Sequence, residues 1–150
     1  MRKLAIVLAC VYLAAAPACA ARVRLGSFEN DKAAAEKALA SLHERLSDRD
    51  FEAIYNSTDE ALRATGSKAQ ILASMQETRD RNGRFLDGRL RDASCFPEEV
   101  RFVFLANYEN GPATELISWR VRDGEAKLLA YEISPGFNEP PSSDSVSNCG

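Results

Sequence analysis

Residues 99–133 read EVRFVFLANYENGPATELISWRVRDGEAKLLAYEI, and the alternation within them decides the fold class. Ile117, Trp119 and Val121 alternate with Ser118, Arg120 and Arg122, the period of two that a strand with one buried face requires. Val100, Phe102, Phe104 and Ala106 repeat that pattern, but Val103 and Leu105 make the second face partly apolar too, as expected of a central strand. Leu129, Tyr131 and Ile133 mark a last strand. Asn110-Gly111 and Asp123-Gly124 lie between these runs and are short-range hairpin signals. A weaker strand, over about 84–94, precedes Pro97. The segment therefore predicts a four-stranded antiparallel meander.

Upstream the period changes. From Asp31 onward, Ala35, Leu39, Leu42 and Leu46 fall on one apolar helical stripe, with Lys37, Glu44 and Arg45 mainly on the other faces. Ser47-Asp48-Arg49-Asp50 breaks the pattern, and Phe51, Ile54 and Tyr55 predict a short second helix. Ser57-Thr58-Asp59-Glu60 and Ser67-Lys68-Ala69-Gln70 each have the form of a capping box. They predict helices over about 58–64 and 68–81, the latter burying Ile71, Leu72 and Met75 and ending at Gly83. Helices followed by a meander give an α+β class, with the N-terminal helices packed on one face of a curved, cone-like four-stranded antiparallel sheet.

The ends of the chain bear on its address. Arg2 and Lys3 precede an apolar run over 4–16, shorter than the roughly 20 residues a membrane crossing needs. A charged start, a short apolar core and small residues at its end define a secretory signal. The expected organisation is a signal peptide at 1–20, an exposed leader at 21–30, one α+β domain at 31–135 and an irregular tail at 136–150. Ala16-Pro17-Ala18 and Ala18-Cys19-Ala20 both offer small side chains to a signal peptidase. Cys19 also admits lipoprotein processing, since Ala18 precedes it as in a bacterial lipobox, although Ala16 and Pro17 depart from that pattern. An acylated Cys19 would place the protein on a membrane, and stable anchoring there needs more than one acyl chain.

The sequence has four cysteines, of which Cys10 lies inside the signal. Cleavage after Ala20 removes Cys19 and acylation consumes it, so either route leaves Cys95 and Cys149 as a pair. In an oxidising compartment that pair is expected to form a disulfide. Cleavage after Ala18 would instead leave an odd thiol. Losing Arg2 and Lys3 lowers the 19 Lys+Arg to 17 against 22 Asp+Glu, moving the formal net charge from −3 to −5. Such a balance excludes a general nucleic-acid binder, which carries a basic patch or stripe.

Several stretches carry a family resemblance over about 33–135. They are Leu46-Ser47-Asp48-Arg49-Asp50-Phe51-Glu52 after the first helix, the Gly83 helix end, Glu115 in the third strand, Asp123-Gly124, and Leu128-Leu129-Ala130-Tyr131-Glu132-Ile133. In these the chain resembles small exported bacterial domains of uncharacterised function with the nuclear transport factor 2-like, or cystatin-like, cone fold. The resemblance implies a curved sheet wrapping the helices around a cavity, in a superfamily that hosts both enzymes and binding modules.

The sequence holds no strong catalytic motif. There is no G-x-S-x-G, H-E-x-x-H or phosphate-loop pattern. His43, the only histidine, follows the core residue Leu42 and is expected to be solvated or at the boundary. No metal-ligand cluster and no cofactor are expected. An acid–base enzyme would need a carboxylate facing an apolar cavity; Asp59 and Glu132 are the candidates, with Tyr55, Tyr108 or Tyr131 as hydrogen-bond donors to a ligand. Asp59 is equally explained by a helix start and Glu132 by the outer face of its strand. Tyr55, Phe104, Trp119 and Tyr131 are candidates for lining a cavity. Asn56-Ser57-Thr58 matches a glycosylation sequon, relevant only in a eukaryotic secretory pathway. The expectation is an exported, periplasmic or secreted, non-catalytic module that binds a small apolar ligand or an envelope protein. The alternative is an isomerase- or lyase-like enzyme of the same fold, with a buried carboxylate beside a tyrosine in a deep cavity. A third reading is an interaction domain using the outer sheet face, which Arg101, Ser118, Arg120 and Arg122 make polar.

Overall fold

The computed structural model describes residues 28–138 and Cys149. The signal read over 1–20, with Cys10 and Cys19, lies outside the described residues, as does most of the leader. Four helices precede four strands: α1 (Glu29–Asp48), α2 (Phe51–Asn56), α3 (Glu60–Arg63), α4 (Lys68–Asn82), β1 (Phe85–Phe96), β2 (Glu99–Tyr108), β3 (Gly111–Arg122) and β4 (Glu125–Pro135). The strands form one open antiparallel sheet in the order β1-β2-β3-β4. The protein is thus α+β, with its N-terminal helices laid on a meander, an arrangement compatible with a cone.

The α1 stripe packs as its spacing requires. Ala35, Leu39, Leu42 and Leu46 are buried, and α1 touches all four strands. Opposite lie Val100, Phe102, Ile117, Trp119 and Val121, so each strand's buried parity faces the helices. Arg49 ends α1 in the left-handed region at φ 62°. Asp50 then accepts a hydrogen bond from the Ala53 amide at 3.2 Å and starts α2.

At α4 the capping box forms as read: Ser67 Oγ accepts from the Gln70 amide and Gln70 Oε1 accepts from the Ser67 amide. Gly83 closes the helix at φ 80°. The first box does not form. Ser57 is instead the C-cap of α2, its hydroxyl donating to the Ile54 carbonyl at 2.8 Å. Asp59 is the N-cap of α3, accepting from the Ala61 amide at 2.9 Å. The cause is tertiary: the Asp59 amide donates to the Leu128 carbonyl, and Thr58 bridges β4, so the backbone stays extended there.

Two strands depart from plain alternation. In β4 the register slips between the pairs Ser118–Ala130 and Trp119–Leu128, leaving Leu129 as an extra residue. Leu128, rather than Leu129, is therefore the core residue at that end, 3% exposed. In β1, slips leave Leu86 and Arg91 unmatched, which breaks the period that would have made this strand conspicuous. Each of the three hairpin loops has two residues, and the one between β2 and β3 is Glu109-Asn110, with Gly111 already paired to Tyr108. Past β4 the chain crosses the outer face: Gly136 bonds back to Pro112, and Thr114 Oγ both donates to the Gly136 carbonyl and accepts from the Asn138 amide. Cys149 is disulfide-bonded to Cys95, one residue from the end of β1.

Candidate functional site

The parity that buries Ile117, Trp119 and Val121 also turns Glu115 inward, and this carboxyl is wholly buried. An unpartnered carboxyl there would be strongly disfavoured. Three side chains from three other elements satisfy it. Tyr108 at the end of β2 and Tyr131 on β4 both donate their hydroxyls to Oε1, the latter at 3.0 Å. His43 Nε2 on α1 lies 2.8 Å from Oε2. The two tyrosine oxygens are themselves 3.4 Å apart.

Aromatic rings close the cluster on the β1 side. Phe85 stacks on the His43 imidazole with centroids 3.9 Å apart and planes 10° apart. Phe104 tilts against the same imidazole at 5.1 Å. Burial, and then the nearby Glu115 carboxyl, push both tyrosine hydroxyls well above the ordinary tyrosine range. Both hydroxyls thus hold their protons and remain donors through all physiological conditions.

Two cavities flank this cluster. The first, about 520 Å³, lies among the helices and β4. Its wall is mostly apolar (Leu46, Ile54, Leu62, Ile71, Met75, Leu128), with Tyr131, Gln70 and Ser74 as polar points. The second, about 720 Å³, lies between α1 and the β1–β2 pair and includes His43, Phe85 and Phe104 in its wall. Tyr131 and His43 therefore each join Glu115 to a different cavity, while Glu115 itself lines neither.

The four aromatic candidates do not share one cavity. Tyr131 lines the first and Phe104 the second, whereas Trp119 is a core residue, 3% exposed, beside a smaller hollow of about 280 Å³. Tyr55 lines none of the three and lies beneath the Lys68 ammonium, 5.2 Å from its ring centroid. Asp59 is committed to capping α3. Glu132 is exposed at the rim of the first cavity. His43 is neither solvated nor at the boundary: it is 4% exposed, because its position four residues after Leu39 and three before Leu46 puts it on the apolar stripe. The wholly buried carboxyl is thus Glu115 and neither Asp59 nor Glu132; its parity with Ile117 is the signal that could have found it, although no local pattern names its partners.

Among the described residues no cluster of three or more His, Cys, Asp or Glu side chains is arranged to hold a metal ion. None of the described helices is long and apolar enough to cross a membrane. Compared with models of known protein families and with curated proteins, the chain matches none.

Proposed function

We propose that this protein is an exported, non-catalytic binding domain of the cell envelope, with a nuclear transport factor 2-like cone, that holds a small and largely apolar ligand in the cavity enclosed by the helices and β4. The observation that carries this reading is the cavity itself. Its volume of about 520 Å³ is in the range of small-molecule sites, as is an apolar wall carrying a few polar points. Tyr131 is an oriented point among them, since its hydroxyl donates to Glu115. Export is supported by the N-terminal signal pattern and by the Cys95–Cys149 disulfide, a bond that persists in oxidising compartments.

Native mass spectrometry of the protein purified from its own compartment tests the reading. A non-covalent adduct is expected in the natural protein and should be lost in Met75→Trp, which fills the cavity. No adduct in the natural protein, or one retained by Met75→Trp, would overturn it. One observation favours the enzyme reading as second choice: a buried carboxyl beside two tyrosines, with Tyr131 reaching the cavity wall. It would displace the first if the retained compound were chemically converted by the natural protein and not by Glu115→Gln.

A further inference from the structure

The second cavity has a chemistry of its own. Glu36, Ala40, Glu44 and Asp48 recur every four residues, forming one row along α1 at its mouth. Ala40 contributes almost no bulk and leaves the space open. Below the row the floor is apolar and aromatic: Leu39, Leu90, Phe85 and Phe104, with His43 stacked beneath Phe85. Gly88 shapes that floor. A Cβ at this position would stand 2.4 Å from Phe104 Cε1 and 2.7 Å from the Leu105 carbonyl, so only glycine lets the Phe104 ring lie against β1.

The charge at the mouth is one-sided. Three carboxylates face a single guanidinium, that of Arg84. Glu36 shares its charge with Lys32 at 3.6 Å, while Glu44 and Asp48 have no ion-pair partner among the described residues. We infer that this cavity is a second binding site, distinct from the one beneath α4, for an organic ammonium compound whose aromatic or alkyl body lies on the phenylalanine floor and whose cation meets Glu44 and Asp48. The volume of about 720 Å³ suits such a molecule. The rim carboxylates draw the cation in, and aromatic faces add to its binding once it is partly desolvated.

Three probes that share one body and differ in charge test this on the full mature protein: phenylbutylamine, phenylbutanol and phenylbutyrate, titrated calorimetrically at low salt. The amine should bind roughly tenfold more tightly than the other two, with the preference shrinking as salt rises. Ala40→Phe should weaken the amine by about tenfold or more by filling the cavity. Glu44→Gln with Asp48→Asn, two exposed changes that leave the core untouched, should bring the three probes within about threefold of one another. Met75→Trp should change nothing here, which separates this site from the cavity beneath α4. Equal binding of the three probes, no binding of the amine, insensitivity to Ala40→Phe, or loss in Met75→Trp would each overturn the inference.

Discussion

At one end of the sheet's inner face, Ile117, Trp119 and Val121 meet Val100, Phe102 and Leu128 in an apolar layer. At the other end of the same strand Glu115 meets Tyr108, Tyr131 and His43. The backbone pairing is continuous through both halves, so the difference lies in what holds the side chains. The apolar half is non-directional: its stabilisation follows area removed from water, and a small change of shape costs a proportionate amount. The polar half depends on every partner being present, because each donor left behind remains buried without an acceptor. The apolar half also receives a covalent tie, since Cys95 and Cys149 belong to its cluster. The lesson is that one strand can carry both a tolerant packing surface and an intolerant hydrogen-bonded one, separated by a single alternation step.

The largest test of that contrast is Glu115→Ala. It removes the acceptor that His43, Tyr108 and Tyr131 share and should cost about 3–5 kcal/mol in urea unfolding, against about 1 kcal/mol for Ile117→Val in the neighbouring apolar position. Comparable costs for the two would erase the distinction. Next comes the disulfide, which spans a sequence separation of 54 residues. Replacing both cysteines with serine should lower stability by about 2–4 kcal/mol while leaving the tyrosine hydroxyls protected in the folded state. Loss of that protection would show that the halves are coupled.

The smallest effect at neutral pH is expected from Tyr108→Phe or Tyr131→Phe, each about 1 kcal/mol, and it depends on pH. Unfolded tyrosines release their protons near pH 10, whereas the folded hydroxyls hold theirs to higher pH. Their contribution is therefore complete below about pH 10 and is lost as pH rises beyond it, since the unfolded chain then binds fewer protons. Either phenylalanine variant should flatten that alkaline decline. An unchanged decline would place its origin elsewhere.

Much of the architecture was legible because its signals are local. The α1 stripe, the Ser67–Gln70 box and the Asp123-Gly124 turn each lie within a few residues of sequence and form where they were read. The misreadings have tertiary causes. Ser57 and Asp59 both suit a helix start, and the choice between them is made by β4, whose Leu128 bonds to the backbone of Ser57 and Asp59 and bridges Thr58, with Asp59 extended. β1 was faint because two slips interrupt its period. In the site, the burial of Glu115 and His43 follows from their spacing, but their meeting across 72 residues does not. Of the charge row of α1, the sequence shows only that Glu44 lies off the apolar stripe; the aromatic floor beside it comes from β1 and β2.

The extra residue at Leu129 can be understood as a change of phase within β4. Before it, Leu128 faces inward opposite Trp119; after it, Tyr131 faces inward opposite Ile117. An uninterrupted strand could present only one of these two side chains to the interior. By skipping a beat, β4 completes the hydrophobic layer and still delivers a hydroxyl to Glu115. The skipped beat falls beside the point where residues 57–59 clasp the strand. The link between α2 and α3 thus acts as the clip that keeps the two phases in step.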